Sequence, residues 1–295
     1  MNAGRHLAGP LRGHPQPGYI TPSGERAWNW TQQLLVFVVI AAIVLPIFWI
    51  MLTAFKQPRD VYSLTNALWF TPTLENFQTV FQHPWNLGSK LLNSVIVASS
   101  TVLIAMPLAL CAAYAFSRFE FAFKRTLFFA IIASQFIPAA VVVLPYFLMF
   151  KEFGWLDTRS GLVLVNLSIV LPYAVWMIKG FIDAVPLEME ESAMVDGASR
   201  LRVLWEMVVP AALPGVITAA VFCFTLAWNE FLFALILTKQ DALTLPIGLI
   251  GFRAERGDLW ELMATSGMII TLPMVLISLA VHKQFIGSLT AGSTR

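Results

Sequence analysis

The sequence LLVFVVIAAIVLPIFWIMLTAF, at residues 34–55, contains no charged side chain and decides the class of fold. A helix that crosses the hydrocarbon core of a bilayer, about 30 Å thick, needs roughly 20 mainly apolar residues. Apolar runs in the helices of soluble proteins are usually shorter, about 10 to 14 residues. This stretch therefore predicts a transmembrane helix.

Five further stretches along the chain have the same character. The six predicted spans are residues 32–55, 91–116, 127–150, 160–179, 210–237 and 262–282. Composition agrees, because 58% of the residues are hydrophobic and only 12% are charged, against about 25% charged in an average soluble domain. A soluble fold could not bury that much apolar surface. We therefore predict an all-α membrane protein with six transmembrane helices.

The two ends of the chain are predicted to be tails on the same side of the membrane. Residues 1–26 are rich in proline and arginine and contain no apolar core of a signal peptide. Residues 27–285 then form the transmembrane domain, and residues 286–295 form the second tail. Lys and Arg are more frequent on the side of the tails than on the other side. This bias favours a cytoplasmic location for both termini.

Composition also argues against several other kinds of protein. The formal net charge of +2 is too small to indicate a nucleic-acid partner. Cys111 and Cys223 both lie inside apolar runs, and the four histidines lack metal-ligand spacing, so we expect neither a disulfide framework nor a metal site. A membrane enzyme would need clustered His, Asp or Glu, and we expect no catalytic residues. The sequence has no Gly-Lys pair and hence no P-loop.

Glu230 is the one acid well inside a predicted span, in the segment Trp228-Asn229-Glu230. A carboxylate near the bilayer centre costs about 2.5–3.5 kcal/mol on insertion scales, so it should face the interior of the bundle. Two interpretations stay open: these three residues line a gate or solute pathway, or Glu230 lies near the outer end of its helix and fixes packing with Asn229. The alternative function, an ion-coupled secondary transporter, would need several such acids and paired repeats with broken helices.

The segment between the fourth and fifth spans predicts a helix–turn–helix outside the bilayer. Pro186 suits the start of a helix, and the acids that follow it complement the helix dipole. Gly197 ends this helix, because glycine accepts the left-handed conformation of a C-terminal cap. A second helix begins near Ser199 and continues to Pro210 at the membrane.

This segment resembles the EAA loop of ABC importer permeases. The loop pattern is Glu-Ala-Ala, three residues, Gly, nine residues and Ile-x-Leu-Pro, and the chain matches it at Glu191-Ser192-Ala193, Gly197 and Pro210. It departs at Ser192, Met207 and Val209. Other matches are similar to the MalG-type branch of carbohydrate importers: Ser117-Arg118-Phe119, Gly154-Trp155-Leu156-Asp157-Thr158, Asp196-Gly197-Ala198-Ser199, Trp228-Asn229-Glu230-Phe231 and Leu289-Thr290-Ala291-Gly292.

The resemblance implies a permease subunit of an ABC importer for a sugar-like solute, in a bacterial inner membrane. The EAA loop would form a cytoplasmic coupling helix between helices 4 and 5 and dock on a separate ATPase. Glu191 would pair there with a basic residue, and Ser192 and Ala193 would allow close approach. The implied coupling residues are Glu191, Ser192, Ala193, Asp196, Gly197 and Pro210.

The resemblance also implies the other members of the assembly. These are a second, MalF-like permease, two copies of the ATPase, an extracytoplasmic solute-binding protein and membrane lipid, without nucleic acid. This chain would hold no cofactor, since ATP is bound by the ATPase. Residues 240–260 would face the solute-binding protein, and the candidate contact residues are Arg253, Glu255, Arg256 and Asp258.

Overall fold

A computed structural model describes residues 22–253 and 258–291 of the chain, with side chains over residues 30–253 and 258–281. The described residues fall into two compact units, 22–49 and 50–253 with 258–291. Helix α1 (Pro22–Ala54) supplies the described part of the first unit and the beginning of the second. The later helices are α2 (Pro58–Val61), α3 (Glu75–Phe81), α4 (Leu87–Arg118), α5 (Lys124–Ala133), α6 (Ala139–Phe153), α7 (Arg159–Asp183), α8 (Leu187–Val195), α9 (Arg200–Val203), α10 (Val209–Ala211), α11 (Leu213–Trp228), α12 (Leu232–Leu237), α13 (Leu245–Gly248) and α14 (Trp260–Ala291).

Helices α4 and α7 form the centre of the second unit, and α11 packs against both. Ala105, Ala109 and Ala113 of α4 repeat every four residues and are fully buried. Small side chains at this spacing let helix backbones approach closely, which is how helices associate in a bilayer. Val170 and Ala174 of α7 are buried in the same core. Helices α4 and α7 thus pack in a core that contains small residues at this spacing.

Within the described residues, four helices are long and apolar enough to cross a membrane: Trp30–Ala54, Leu87–Arg118, Arg159–Asp183 and Trp260–Val281. Two bent pairs of shorter helices pass the same test when each pair is taken together. Every regular element in the described residues is helical. The predicted class, an all-α membrane protein, is therefore confirmed, with between four and six spans.

The first bent pair occupies the predicted span 127–150. Helix α5 is followed by a 3-10 turn, Ser134–Phe136, and α6 then leaves at 94° to it. The break lies at Ile137 and Pro138, which both have extended backbone. Proline forces the residue before it out of the helical region and cannot donate a helical hydrogen bond. A continuous helix over residues 127–150 is therefore not what the structure contains.

The second bent pair, Arg200–Ala211 with Leu213–Trp228, covers the first part of the predicted span 210–237 and the ten residues before it. The segment Arg200–Ala211 meets α11 at 83°, and α11 then ends at Trp228, before α12 begins at Leu232. Gly215 sits where α11 crosses the end of α7, because a Cβ atom there would lie only 2.1 Å from Cγ of Phe181. The long apolar run is thus divided into two helices by a break at residues 229–231.

Candidate functional site

The turn after α8 is a complete helix C-terminal motif. Gly197 has a φ of 88°, its N–H donates to the carbonyl of Met194 at 3.1 Å, and the N–H of Ala198 donates to the carbonyl of Ala193 at 3.0 Å. This pair of bonds is the Schellman motif, which needs a left-handed residue at the position of Gly197. The predicted end of the helix is therefore at the predicted residue, for the predicted reason.

The second helical arm of the helix–turn–helix, which follows the turn at Gly197, starts at Ser199. The hydroxyl of Ser199 accepts a hydrogen bond from the N–H of Arg202. Serine at this position satisfies one of the free amides of a helix start. A π-helical turn, Leu204–Val208, continues α9 into α10, which contains Pro210. We call residues 187–211, from α8 to α10, the finger. Because the second arm meets α11 at 83°, the finger is not a straight extension of that helix.

The finger presents a mixed polar and apolar surface. Glu191, Ser192 and Asp196 are exposed, whereas Ala193 is half-buried against the core. Four large apolar side chains on the finger are also exposed, by the fractions shown: Leu187 (52%), Val195 (87%), Leu201 (63%) and Trp205 (43%). Leu201 and Trp205 belong to the segment Arg200–Ala211, which passes the membrane test together with α11, whereas Leu187 and Val195 lie outside the candidate spans.

Glu190 anchors α8 to the core, and the sequence did not predict its role. It is only 2% exposed, and its Oε1 accepts a hydrogen bond from Nε of Arg118 at 2.7 Å. The hydroxyl of Tyr114 donates to the other carboxylate oxygen at 3.1 Å. Charged residues are rarely buried without a partner. Arg118 belongs to the motif Ser117-Arg118-Phe119. It lies 72 residues from Glu190 in the chain, so the sequence did not predict that the two side chains pair.

The three residues of the predicted pathway have different surroundings. The indole N–H of buried Trp228 donates to the carbonyl of Ile270 in α14 at 3.2 Å, and its ring stacks on Phe224. Asn229 is exposed at the helix break and donates to the carbonyl of Thr225. Their assignment to a pathway stays a prediction.

Glu230 caps the N-terminus of α12. Its Oε1 accepts a hydrogen bond from the N–H of Phe233 at 2.7 Å, and its Oε2 accepts one from the N–H of Ala234 at 3.0 Å. A carboxylate at a helix start satisfies free amides and complements the positive end of the dipole. This geometry is a local structural contact, as in the second interpretation, but its partners are the amides of α12 rather than Asn229.

The loop before α14 is only partly described. Nε of Arg253 lies 3.9 Å from the carboxylate of Asp258, and the carbonyl of Asp258 accepts a hydrogen bond from the hydroxyl of Tyr62 at 2.9 Å. Glu255 and Arg256 lie outside the described residues. Arg253 is exposed, as a contact residue would have to be.

The carboxylate of Asp157 binds the backbone of residues 239–242, at the start of the loop before α14. We call this group of hydrogen bonds the Asp157 cluster. Both carboxylate oxygens accept backbone N–H groups, from Lys239 and Ala242 on Oδ1 and from Gln240 and Asp241 on Oδ2, at 3.0–3.2 Å. These four bonds lower the pKa of Asp157, although partial burial acts to raise it. The turn between α6 and α7 is thereby tied to the chain that follows α12.

Asn93 and Arg159 extend this cluster. The amide of Asn93 donates to the carbonyls of Asp241 and Leu243, and its oxygen accepts a bond from Arg159 at 2.7 Å. An asparagine inside an apolar run gave no sign of a loop partner 148 residues away.

Comparison with known proteins agrees with this architecture. The fold is similar to that of a solved structure, a bacterial ABC transporter involved in the import of the acidic polysaccharide alginate. The two chains superpose with a TM-score of 0.74 at 18% sequence identity, over 91% of this chain and 99% of that one. The probable ABC transporter permease protein y4oR of Sinorhizobium fredii is 31% identical, over 93% of this chain and 98% of the relative.

Two further relatives are sugar uptake permeases by name. The diacetylchitobiose uptake system permease protein DasC of Streptomyces coelicolor is 30% identical, over 92% of this chain and 97% of its own. The trehalose transport system permease protein SugB of Mycobacterium tuberculosis is also 30% identical, over 92% and 98%.

The family model described as "Binding-protein-dependent transport system inner membrane component" matches residues 105–288, which is more than half of the chain. This family contains transport components rather than enzymes, and it confirms the predicted ABC importer permease in place of an ion-coupled transporter. Such systems work with a solute-binding protein and an ATPase. The chain belongs to the family of binding-protein-dependent transport system inner membrane components.

Proposed function

We propose that this chain forms half of the translocation pathway for a sugar or sugar-like solute and is driven through α8 by a separate ATPase. The choice of a sugar rests on relatives whose names specify diacetylchitobiose and trehalose. They are similar to this chain over nearly its whole length. ATP is bound by the ATPase, so this chain carries no cofactor of its own.

The proposed assembly contains this chain, a second MalF-like permease, two ATPase copies and an extracytoplasmic solute-binding protein, within membrane lipid and without nucleic acid. Because the ATPase is cytoplasmic, α8 and both chain termini lie on the cytoplasmic side. The six spans predicted from the sequence then place residues 240–260 outside, where the binding protein docks. Arg253, Glu255, Arg256 and Asp258 are the proposed contact residues on that side.

One observation supports the proposal: α8 is an exposed helix that is fixed to the rest of the chain at its C-terminus and along its inner face. Its end is closed by the Schellman turn at Gly197, and its inner face is anchored by buried Glu190. Glu191 and Ser192 lie on the exposed side, available to a partner, while Ala193 faces the core. Asp196 and Gly197 form the turn, and Pro210 leads the second arm to α11. Trp228, Asn229 and Glu230 remain the proposed pathway residues.

The coupling contact is tested by Glu191→Lys in the complete transporter. Reversing this exposed charge should abolish uptake and reduce the amount of ATPase that co-purifies with the permease, while membrane insertion is unchanged. Gly197→Pro should have the same effect, because proline cannot adopt a φ of 88°.

The matched control is Glu120→Lys, which makes the same charge change at a side chain 90% exposed and outside the finger. It should leave uptake and co-purification as in the parent, because exposed ion pairs contribute only about 0–1 kcal/mol. Full uptake and undiminished ATPase binding by Glu191→Lys would contradict the proposed coupling contact.

The solute class is tested with the solute-binding protein that belongs to the same system. Thermal-shift measurements with trehalose, maltose and diacetylchitobiose, and with amino acids as a contrasting class, should show stabilisation by a saccharide, since a ligand that binds only the folded state raises its melting temperature. Radiolabelled uptake of the same saccharide should then require this chain. Stabilisation by an amino acid alone would contradict a sugar importer.

A further inference from the structure

The junction between α4, α7 and α8 contains an ion pair whose side chains are buried. The side chains of Arg118 and Glu190 are only 7% and 2% exposed, and Nε of Arg118 lies 2.7 Å from Oε1 of Glu190. A third side chain, Tyr114, donates its hydroxyl to Oε2 at 3.1 Å. The carboxylate of α8 therefore receives a hydrogen bond on each oxygen, and both donors belong to α4.

Arg118 also binds the end of α7. Its Nη2 donates to the carbonyls of Ile182 at 2.9 Å and Val185 at 2.8 Å. The last carbonyls of a helix have no partner within the helix, and arginine is well suited to satisfy them. One guanidinium thus joins three parts of the chain: it stands on α4, binds the backbone where α7 ends, and pairs with α8.

The planar guanidinium makes this connection directional. Its N–H groups point in fixed directions, so the carboxylate and the two carbonyls must all keep their places for the bonds to persist. A buried charge that loses its partner is strongly unfavourable. The three partners can therefore move together at little cost, whereas movement of one relative to the others breaks buried charge-assisted bonds.

Neighbouring charges reinforce the same junction. Ser117 donates to one carboxylate oxygen of Asp183 at 2.6 Å, and Nζ of Lys179 lies 2.6 Å from the other. Nη1 of Arg118 contacts the hydroxyl of Ser117 at 3.1 Å. On the other side, the guanidinium of Arg200 in α9 lies 4.9 Å from the ring centroid of Phe119. Both arms of the finger thus contact the end of α4.

We propose that the buried Arg118–Glu190 pair is the joint that makes the finger move as one rigid body with α4 and the end of α7. This inference rests on the proposed function, because it explains how a push on the finger reaches the membrane helices. Arg118 and Glu190 are positioning residues: they do not contact the ATPase or the solute but fix the finger to α4. An exposed pair, such as that between Arg202 and Glu206, could not do this, because water and rotamer freedom would loosen it.

The test is a spin-label distance between α4 and the finger in the purified permease–ATPase complex. Native Cys111, which is exposed on α4, carries one label. Arg202→Cys on the second arm carries the other, and Cys223→Ala removes the remaining, buried thiol. Distances are measured by pulsed electron paramagnetic resonance without nucleotide and after trapping with MgATP and vanadate.

In the labelled parent we expect one narrow distance distribution whose mean is the same in both states. Glu190→Gln keeps the shape of the side chain but removes its charge, and Arg118→Lys keeps the charge but removes the fork of donors. Each should broaden the distribution at least about twofold. Glu190→Gln leaves the buried guanidinium of Arg118 without its counter-charge, and Arg118→Lys cannot donate in fixed directions to Glu190 and to the carbonyls of Ile182 and Val185 together. Glu120→Gln, at an exposed pair, is the control and should leave the width unchanged.

A lower melting temperature alone would not support the joint, because any lost buried ion pair lowers stability. An unchanged width in both Glu190→Gln and Arg118→Lys, whatever their melting temperatures, would overturn the proposal. If either variant fails to accumulate, Tyr114→Phe removes a single hydrogen bond from Glu190 and should broaden the distribution to a smaller extent. Absence of the ATPase from the unsubstituted complex would count instead against the proposed function.

Discussion

Replacing Asp157 by asparagine should release the chain that follows α12. Each carboxylate oxygen of Asp157 accepts two backbone N–H groups from residues 239–242. Asparagine keeps one oxygen and turns an NH₂ group toward the other two donors. The residue has a φ of 57°, a conformation that asparagine also tolerates. The change therefore removes the charge and one acceptor oxygen, and with it two of the four hydrogen bonds, without adding backbone strain.

The magnitude follows from the number of bonds lost. A hydrogen bond to a charged group contributes about 1.5–3 kcal/mol. Because the donors belong to a largely exposed segment, water replaces part of that, and we take about 1–1.5 kcal/mol for each of the two bonds, following the discount for exposed charges. The total of about 2–3 kcal/mol corresponds to a change of roughly 30- to 150-fold in an opening equilibrium.

Hydrogen exchange measures this opening directly, because the four donors are themselves exchangeable amides. Their protection should fall by the stated factor in Asp157→Asn. Asp241→Asn changes a carboxylate in the same segment and keeps the backbone bonds, so its protection should stay within about twofold of the parent, as for most surface substitutions. Protection within twofold of the parent in Asp157→Asn would refute the reasoning.

The same bonds give the segment a pH dependence of known sign. The pKa of Asp157 is lowered in the folded protein: partial burial raises it, but the four backbone hydrogen bonds outweigh this. The stabilisation is therefore fully present above the ordinary aspartate pKa of about 3.9 and is lost as the pH falls through the lower, folded value. Protection of these amides, corrected for intrinsic exchange, should therefore be constant above the ordinary aspartate pKa and fall at lower pH. In Asp157→Asn the protection should no longer depend on pH in this way.

Two further predictions concern the break around α11. Gly215→Ala should destabilise the protein by about 1–3 kcal/mol, as overpacking does, because its Cβ would lie 2.1 Å from Cγ of Phe181. Gly180→Ala, where a Cβ meets nothing within 4 Å, should raise the melting temperature slightly; equal melting temperatures for the two variants would contradict this packing. The carboxylate of Glu230 accepts hydrogen bonds from the amides of Phe233 and Ala234. Glu230→Gln should lower the opening free energy of these two amides by about 1 kcal/mol and so increase their hydrogen exchange. Unchanged exchange there would show that Glu230 is not the cap of α12.

The sequence by itself determined the features that depend on neighbouring residues. Uncharged apolar runs predicted the membrane-length helices, since the cost of an unsatisfied backbone in lipid allows little else. The start of α8 after Pro186 and its end at Gly197 also follow from local rules of capping and φ preference. These interactions lie within one turn of helix, so the order of residues is enough to predict them.

Only the tertiary structure decided which polar groups meet across the fold. Glu190 looked like one of several acids on α8, and its burial depends on Arg118, 72 residues away. Asp157 meets its amide partners across more than 80 residues. Pro138 marks a position where a helix can bend, but the sequence does not predict the 94° angle there, nor the break after Trp228, which lies inside a run whose composition suits a continuous helix. Such choices depend on which neighbours satisfy the freed backbone and side-chain groups, and that is set by packing between segments far apart in the chain.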